Sequence, residues 1–173
     1  KTHQILALMC ALYNQEKKPF LIVCPTSVLY HWQDLISLTL PLKLCVYHGL
    51  ERSLHNDFDI VLTTYGILRR GEKVFAKHHF ALVIFDEIQI AKNAKSFTHK
   101  ALCLLKASMR VGLTGTPIEN GLQELKALLD IVLPGYLPKE EVFADQFVYP
   151  IEKLYDKKQI KLLQKLIHPF FLR

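Results

Sequence analysis

Two adjacent carboxylates, Asp86 and Glu87, directly follow a continuous apolar run at residues 80–85. A run rich in β-branched and aromatic residues, with no polar alternation, is typical of a strand covered on both faces in a parallel sheet. Ligands of open α/β sheets bind outside the carboxyl ends of such strands. One carboxylate there can hold a Mg²⁺ that carries nucleotide phosphates, while its neighbour orients or deprotonates a water. The alternative is a helix N-terminus, where acidic side chains bind free amides. The pair alone does not decide between them.

Hydroxyl groups follow three other predicted strands. Thr26 and Ser27 come after the apolar run 20–24, residues 63–65 after the run 60–62, and Thr114 after the run 109–113. Hydroxyls beside helix amides at a strand end can bind a phosphate of a nucleic-acid backbone. For Thr26 and Ser27, plain capping of the following helix is the alternative.

Two lysine-containing pairs are ambiguous by themselves. Lys1-Thr2 opens an amphipathic helix, as the last two residues of the phosphate-binding loop G-x-x-x-x-G-K-[ST] do, but the glycines are not in this sequence. By itself the pair is better explained by an arbitrary start of the sequence. Lys92-Asn93 is ordinary turn chemistry unless DNA runs past it.

Composition favours one globular domain. Half of the 173 residues are apolar, and 22 Lys and Arg against 16 Asp and Glu give a net charge of +6. That charge fits a polyanionic partner but is mild. The four cysteines form no C-x-x-C pair, so we expect small buried side chains in a reducing compartment. No apolar run is long enough to cross a bilayer, and we expect no membrane partner.

The predicted elements alternate between strands and helices. This pattern predicts a single α/β sandwich with a mostly parallel sheet, right-handed crossovers and helices on both faces. After residue 138 no further strand is evident, and an irregular aromatic-rich stretch precedes the last helix. The predicted strands are 20–24, 42–47, 60–62, 80–85 and 109–113, and the predicted helices are 5–12, 28–38, 66 to about 77, 97 to about 107, 122–133 and 157–167.

Taken in order, these motifs resemble the first motor lobe of the Swi/Snf-type DNA translocase ATPases in helicase superfamily two. The Thr-Gly-Thr-Pro form at 114–117 separates them from RNA helicases, which usually carry Ser-Ala-Thr there. The resemblance spans essentially the whole chain. It is carried by LIVCPTSVLYHW, DIVLTTYGIL, VIFDEIQIAKN, RVGLTGTPIENGLQEL and HPFFLR.

This resemblance implies the fold and its division. Residues 1–137 would be a RecA-like P-loop NTPase lobe, an α/β three-layer sandwich that lacks the strand of the phosphate loop. Residues 138–173 would be a helical and irregular extension leading toward an absent second lobe. We therefore expect the sequence to be a fragment of a longer protein.

The resemblance also implies an activity. The chain would be the ATP-binding motor lobe of an ATP-dependent double-stranded DNA translocase, with ATP and Mg²⁺ as cofactors. Asp86, together with Thr2, would hold Mg²⁺, and Glu87 would polarise the attacking water. The residues assigned to the nucleotide are Lys1, Thr2, Gln89, Thr114, Gly115 and Thr116. The residues assigned to the DNA backbone are Thr26, Ser27, Thr63, Thr64, Tyr65, Lys92 and Asn93.

Departures from the family pattern keep other functions open. Gln89 stands where the family usually has His, and Glu119 where Gln is commoner. Because the second lobe would supply an arginine finger, we expect this segment alone to hydrolyse ATP negligibly. The alternative is a catalytically inactive nucleic-acid-binding lobe, and a lesser one is a P-loop enzyme independent of nucleic acid. The expected partners are duplex DNA and the second lobe, and the expected location is intracellular: cytoplasmic in a bacterium or nuclear in a eukaryote.

Overall fold

The computed structural model describes residues 2–13, 19–49, 54, 57–116 and 121–172. Within these residues five strands form one sheet in the order β2-β3-β1-β4-β5, and every pairing is parallel. The strands are β1 (Phe20–Cys24), β2 (Leu44–Val46), β3 (Ile60–Thr64), β4 (His79–Asp86) and β5 (Lys106–Leu113).

The helices connect these strands and extend beyond the last one. None in the described residues is long and apolar enough to cross a membrane. They are α1 (Thr2–Tyr13), α2 (Leu29–Thr39), α3 (Tyr65–Arg70), α4 (Glu72–Phe75), α5 (Phe97–Cys103), α6 (Leu122–Val132), α7 (Glu140–Phe143), α8 (Tyr149–Glu152) and α9 (Lys157–Ile167). The described residues also contain three 3₁₀ turns and one π-helical segment. The 3₁₀ turns are Thr26–Val28, Ile88–Ala91 and His168–Phe170, and the π-helical segment is Ala144–Val148.

The two sheet faces support separate cores, as the fully apolar strands require. Met9 of α1 and Trp32 of α2 pack on one face, and helices α3 to α6 cover the other. β1 and β3 are buried at every position because helices lie on both sides of them. This is the predicted three-layer sandwich, and its parallel sheet is confirmed.

A third apolar cluster joins the extension to the lobe. Phe143, Phe147 and Leu163 pack there against Leu125 and Leu129 of α6. The stretch predicted to be irregular is therefore helical, and Phe143 and Phe147, one turn apart, bury their rings against α6. The prediction of the last helix at 157–167 is confirmed.

Two predicted helix boundaries are wrong. The helix expected at 66–77 breaks at Gly71, whose amide binds the carbonyl oxygens of both Ile67 and Leu68. The helix expected to reach about residue 107 ends at Cys103 instead. Lys106 already pairs with β4, so the sheet extends farther than the apolar pattern indicates.

Candidate nucleotide and nucleic-acid site

The strand register brings the polar strand ends to one edge of the sheet. Asp86 pairs with Leu113, so Thr114 begins beside the carboxylate pair. Cys24 pairs with Thr64, and Val23 with Phe85, so β1 and β3 end at the same level. We call the carboxyl ends of β1, β3, β4 and β5 the site edge.

Helix α1 runs toward the opposite edge. The hydroxyl of Tyr13, its last residue, donates to Asp59 Oδ1 at 3.4 Å, directly before β3. A helix that returns to the amino ends of a parallel sheet runs antiparallel to its strands. Thr2 at the start of α1 therefore lies toward the site edge, while Lys1 lies outside the described residues.

Asp86 is held by side chains from both layers of the sandwich. The indole Nε1 of Trp32 donates to Asp86 Oδ2 at 2.8 Å, and the amide of Glu87 donates to Oδ1 at 3.1 Å. The Tyr65 hydroxyl donates to the Asp86 carbonyl oxygen at 2.7 Å. From the sequence, Trp32 is most simply interpreted as a core residue of the helix at 28–38. The one sequence feature that could have indicated its bond to Asp86 is that a buried indole N–H needs a hydrogen-bond acceptor.

The backbone of Glu87 is strained. It has φ 51° and ψ 51°, in the left-handed region, which costs a non-glycine residue about 1–3 kcal/mol. Such strain concentrates at functional sites. Glu87 is the N-cap of the Ile88–Ala91 turn, but its side chain forms no cap, so capping does not account for the Glu87 carboxylate.

Gln89 fixes the Glu87 side chain. Its Nε2 donates to Glu87 Oε2 at 2.5 Å. Its Oε1 is buried and has no hydrogen-bond donor among the described residues. A buried acceptor without a hydrogen-bond donor is rare in native proteins, so Gln89 Oε1 is available to accept from a group bound at this site.

Gly112 makes room for the turn after Glu87. A Cβ built there would lie 2.9 Å from Cδ1 of Ile88 and 3.3 Å from Cγ1 of Val132. Ile88 is buried in the core beneath the turn. Because carbon atoms pack at about 3.5–4.0 Å, only glycine fits in this place without displacing Ile88.

The negative charges of Asp86 and Glu87 are not neutralised by an ion pair within the described residues. Neither Asp86 nor Glu87 forms an ion pair there. Burial, and then the charge of Asp86, raises the pKa of Cys24 to about 12. Burial and the nearby acids Asp86 and Glu87 raise the pKa of Tyr65 well above its usual value, so its hydroxyl stays a donor.

The donor set fits Mg²⁺. No cluster of three or more His, Cys, Asp or Glu occurs among the described residues. Mg²⁺ does not need one, because it is usually bound by one or two carboxylates, substrate phosphates and waters. Asp86 and Glu87 at the edge of a parallel sheet supply such carboxylates.

The predicted DNA contacts differ in exposure. Thr26 and Ser27 are exposed on their 3₁₀ turn, and neither side chain caps it or α2, so the capping alternative is wrong. Thr63 and Thr64 are buried, and the Thr63 hydroxyl donates to the Tyr47 carbonyl oxygen at 2.9 Å. A phosphate contact by Thr63 would require this bond to break.

The Lys92-Asn93 pair lies in an ordinary turn, which was the alternative to a DNA contact. Asn93 Oδ1 accepts from the Lys95 amide at 2.9 Å, and Lys92 pairs with Glu124 of α6 at 3.4 Å. Asn93 is nevertheless exposed. Contact of this pair with DNA stays a prediction.

The turn after β5 is tight and open to solvent. The Thr116 amide donates to Thr114 Oγ1 at 3.1 Å. A Cβ on Gly115 would meet no atom of the described residues within 4 Å, so these residues leave space beside this backbone. Glu119 lies outside the described residues.

The fold is that of a RecA-like lobe, the class of domain on which helicase-type ATPases are built. The chain belongs to the SNF2-related domain family, whose model matches residues 1–173. This confirms the family that the motifs predict.

Known proteins resemble the chain over most of its length. It is 36% identical to the "Putative ATP-dependent helicase/translocase YwqA" of Bacillus subtilis, covering 100% of the chain and 20% of that protein. It is 35% identical to the TATA-binding protein-associated factor MOT1 of Saccharomyces cerevisiae, covering 90% of the chain and 9% of that protein. The chain thus spans a fifth or less of these relatives.

A solved structure has the same fold. The SWI2/SNF2 ATPase core of Sulfolobus solfataricus in complex with dsDNA superposes with a TM-score of 0.91 at 34% identity. The match covers 100% of this chain and 37% of that one. The chain therefore has the fold of one part of a larger ATPase core.

Proposed function

We propose that this chain is the ATP-binding motor lobe of an ATP-dependent double-stranded DNA translocase. The observation that carries the proposal is the placement of Asp86 and Glu87 beside Thr114 at the site edge, in a chain of the SNF2-related family. The names of two relatives, a helicase/translocase and a TATA-binding protein-associated factor, support a motor that works on DNA inside the cell.

The site residues divide the chemistry of ATP hydrolysis. Asp86 and Thr2 hold Mg²⁺, which when bound neutralises phosphate charge. Glu87 orients and polarises the attacking water through the carboxylate oxygen that Gln89 leaves free. Lys1 contacts the outer phosphates. The remaining residues assigned to the nucleotide are Gln89, Thr114, Gly115 and Thr116.

Duplex DNA is the proposed nucleic-acid partner. The solved ATPase core that superposes on this chain is a complex with dsDNA. The exposed hydroxyls of Thr26 and Ser27 are suited to phosphate oxygens, and such contacts are blind to sequence and sensitive to salt. We propose that the remainder of the full-length protein supplies a second lobe that closes over the nucleotide.

ATP hydrolysis by the full-length protein, with and without duplex DNA, tests the proposal. Duplex should stimulate hydrolysis in the wild type. Glu87→Gln should lower kcat by about 10²-fold or more, because it removes the group that polarises the water. Glu141→Gln, at an exposed position on α7, is the matched control and should behave as wild type. Hydrolysis that ignores duplex, or a Glu87→Gln protein as fast as its control, would refute the function.

A catalytically inactive nucleic-acid-binding lobe is the second candidate. One observation favours it: the Gln89 amide occupies one oxygen of the proposed catalytic carboxylate, Glu87, at 2.5 Å. In that case the full-length protein would bind duplex DNA but release no phosphate, and Glu87→Gln would change nothing. Gln89→Ala separates the two candidates further, because it lowers activity only if the amide positions a working Glu87.

A further inference from the structure

Helix α9 carries four lysines on one exposed face. Lys157, Lys158, Lys161 and Lys165 are all exposed, and at 3.6 residues per turn they fall within an arc of roughly 100°. We call these four residues the lysine face. The buried residue of this helix, Leu163, lies on the opposite side and packs into the cluster that α6 and the extension share. The helix therefore presents a basic face to solvent, flanked by the exposed Leu162 and Gln164.

Two hydrogen bonds hold the segment that contains α9. Before the helix, Oε1 of Glu152, the last residue of α8, accepts from the Leu122 amide of α6 at 2.8 Å. Near the end of α9, the Leu166 carbonyl oxygen accepts from the Tyr136 hydroxyl at 3.0 Å. Leu163 packs in the same cluster as Leu125 and Leu129 of α6. The lysine face therefore belongs to a helix that is anchored to the lobe through α6.

The lysine face is unfavourable for the isolated helix. Lys157 and Lys161, and Lys161 and Lys165, are like charges four residues apart, which destabilise a helix. Lys157 and Lys158 occupy the first turn, where the helix dipole disfavours cations. Within the described residues no carboxylate pairs with any of the four. A polyanion bound to this face would relieve all three costs.

We propose that the lysine face binds the phosphate backbone of duplex DNA, as a second contact apart from the strand-end hydroxyls of the site edge. Lysines at i, i+4 and i+8 place their Cβ atoms about 6 Å apart in a row, so Lys157, Lys161 and Lys165 form a line of point charges. Such a line suits successive phosphates of one strand and reads no sequence. This inference rests on the proposed function, which supplies duplex DNA as the partner.

Duplex binding by the full-length protein without ATP, measured by fluorescence anisotropy across a salt series, tests the inference. The triple variant Lys157→Gln, Lys161→Gln, Lys165→Gln should bind more weakly. The slope of log K against log salt should fall in magnitude by about 2.7, since each lost phosphate contact removes about 0.9. A triple replacement of the same lysines by arginine should retain the wild-type slope.

Matched controls exclude a general charge effect. Lys77→Gln, Lys100→Gln, Lys106→Gln removes the same charge at exposed positions elsewhere and should leave the slope unchanged. Acetylation of the wild type by an amine-reactive reagent, read by mass spectrometry, should show the lysine face protected by duplex. Equal slopes for the two glutamine triples, or no protection, would overturn the inference.

Two further outcomes keep the inference distinct from the proposed function. If wild type shows duplex-stimulated hydrolysis but the lysine-face triple binds duplex normally, the inference fails and the motor function stands. If wild type binds no duplex, both fail. If the triple instead loses binding to phosphatidylserine vesicles or to polyglutamate while duplex binding persists, the partner is not DNA and the inference is overturned.

Discussion

Replacing Gly112 by alanine tests how the turn after Glu87 is positioned. The new Cβ would lie 2.9 Å from Cδ1 of Ile88 and 3.3 Å from Cγ1 of Val132. Ile88 follows Glu87 directly and is 3% exposed, so its side chain can move only by repacking against its core neighbours. Alanine at this position should therefore move Ile88 and, with it, the strained backbone of Glu87.

The magnitude follows from two opposing terms. Overpacking a core costs about 1–3 kcal/mol, while replacing glycine by alanine gains about 0.4–1 kcal/mol through the unfolded chain. We expect Gly112→Ala to lower the free energy of unfolding by about 0.5–2 kcal/mol, measured by denaturant titration. In the full-length protein, kcat for ATP should fall while duplex binding is kept.

Two companion variants make this prediction refutable. Gly66 of α3 has no atom within 4 Å of its would-be Cβ, so Gly66→Ala should stabilise by about 0.5–1 kcal/mol. Ile88→Val removes the atom nearest the new methyl group, so the double variant should recover part of the loss that Gly112→Ala causes. Wild-type stability of Gly112→Ala, or strict additivity with Ile88→Val, would show that this contact does not position the turn.

Three further predictions concern individual contacts, two at the site and one between the extension and α6. Trp32→Phe removes the donor to Asp86 Oδ2 and should lower the free energy of unfolding in denaturant by about 1–3 kcal/mol, because hydrogen bonds to charged groups are the stronger ones. Glu152→Ala removes the acceptor at the Leu122 amide and should cost about 0.5–2 kcal/mol in the same assay, as lost helix caps do, with Glu152→Gln recovering part of it. Burial raises the pKa of Cys24 from 9.0 to about 12. The stability that the neutral thiol contributes to the folded protein is therefore complete below pH 9 and is lost as pH rises toward 12. The free energy of unfolding, measured across a pH series, should show this fall in wild type and a shallower one in Cys24→Ala.

Strands buried on both faces are predictable because every position must be apolar. The runs 20–24 and 80–85 meet that condition, and β1 and β4 match them to within one residue at each end. β5 does not meet it, since its first residues include the exposed Lys106 and Ser108. Pairing with β4 determines where β5 begins, and a local apolar pattern does not show which residues pair with a neighbouring strand.

The positions of the acids and hydroxyls can be predicted from the strand order, but the side chains that hydrogen-bond to Asp86 cannot. Asp86 and Thr114 meet because β4 and β5 end together, which alternating strands and helices already indicate. The Trp32–Asp86 bond joins residues 54 positions apart. A core tryptophan satisfies the apolar face of α2 equally well with or without that bond, so no local pattern distinguishes the two.

The supports of Asp86 belong to the same segments that are predicted to contact DNA. Trp32 lies on α2, just after the exposed Thr26 and Ser27, and Tyr65 lies at the end of the 63–65 segment. Trp32 packs in the core on one sheet face and Tyr65 in the core on the other. A duplex held by both segments would therefore act on Asp86 through two hydrogen bonds, one at its carboxylate and one at its carbonyl oxygen. Under the proposed function, this gives stimulation by DNA a direct structural route, and Trp32→Phe should reduce that stimulation more than it reduces hydrolysis without DNA.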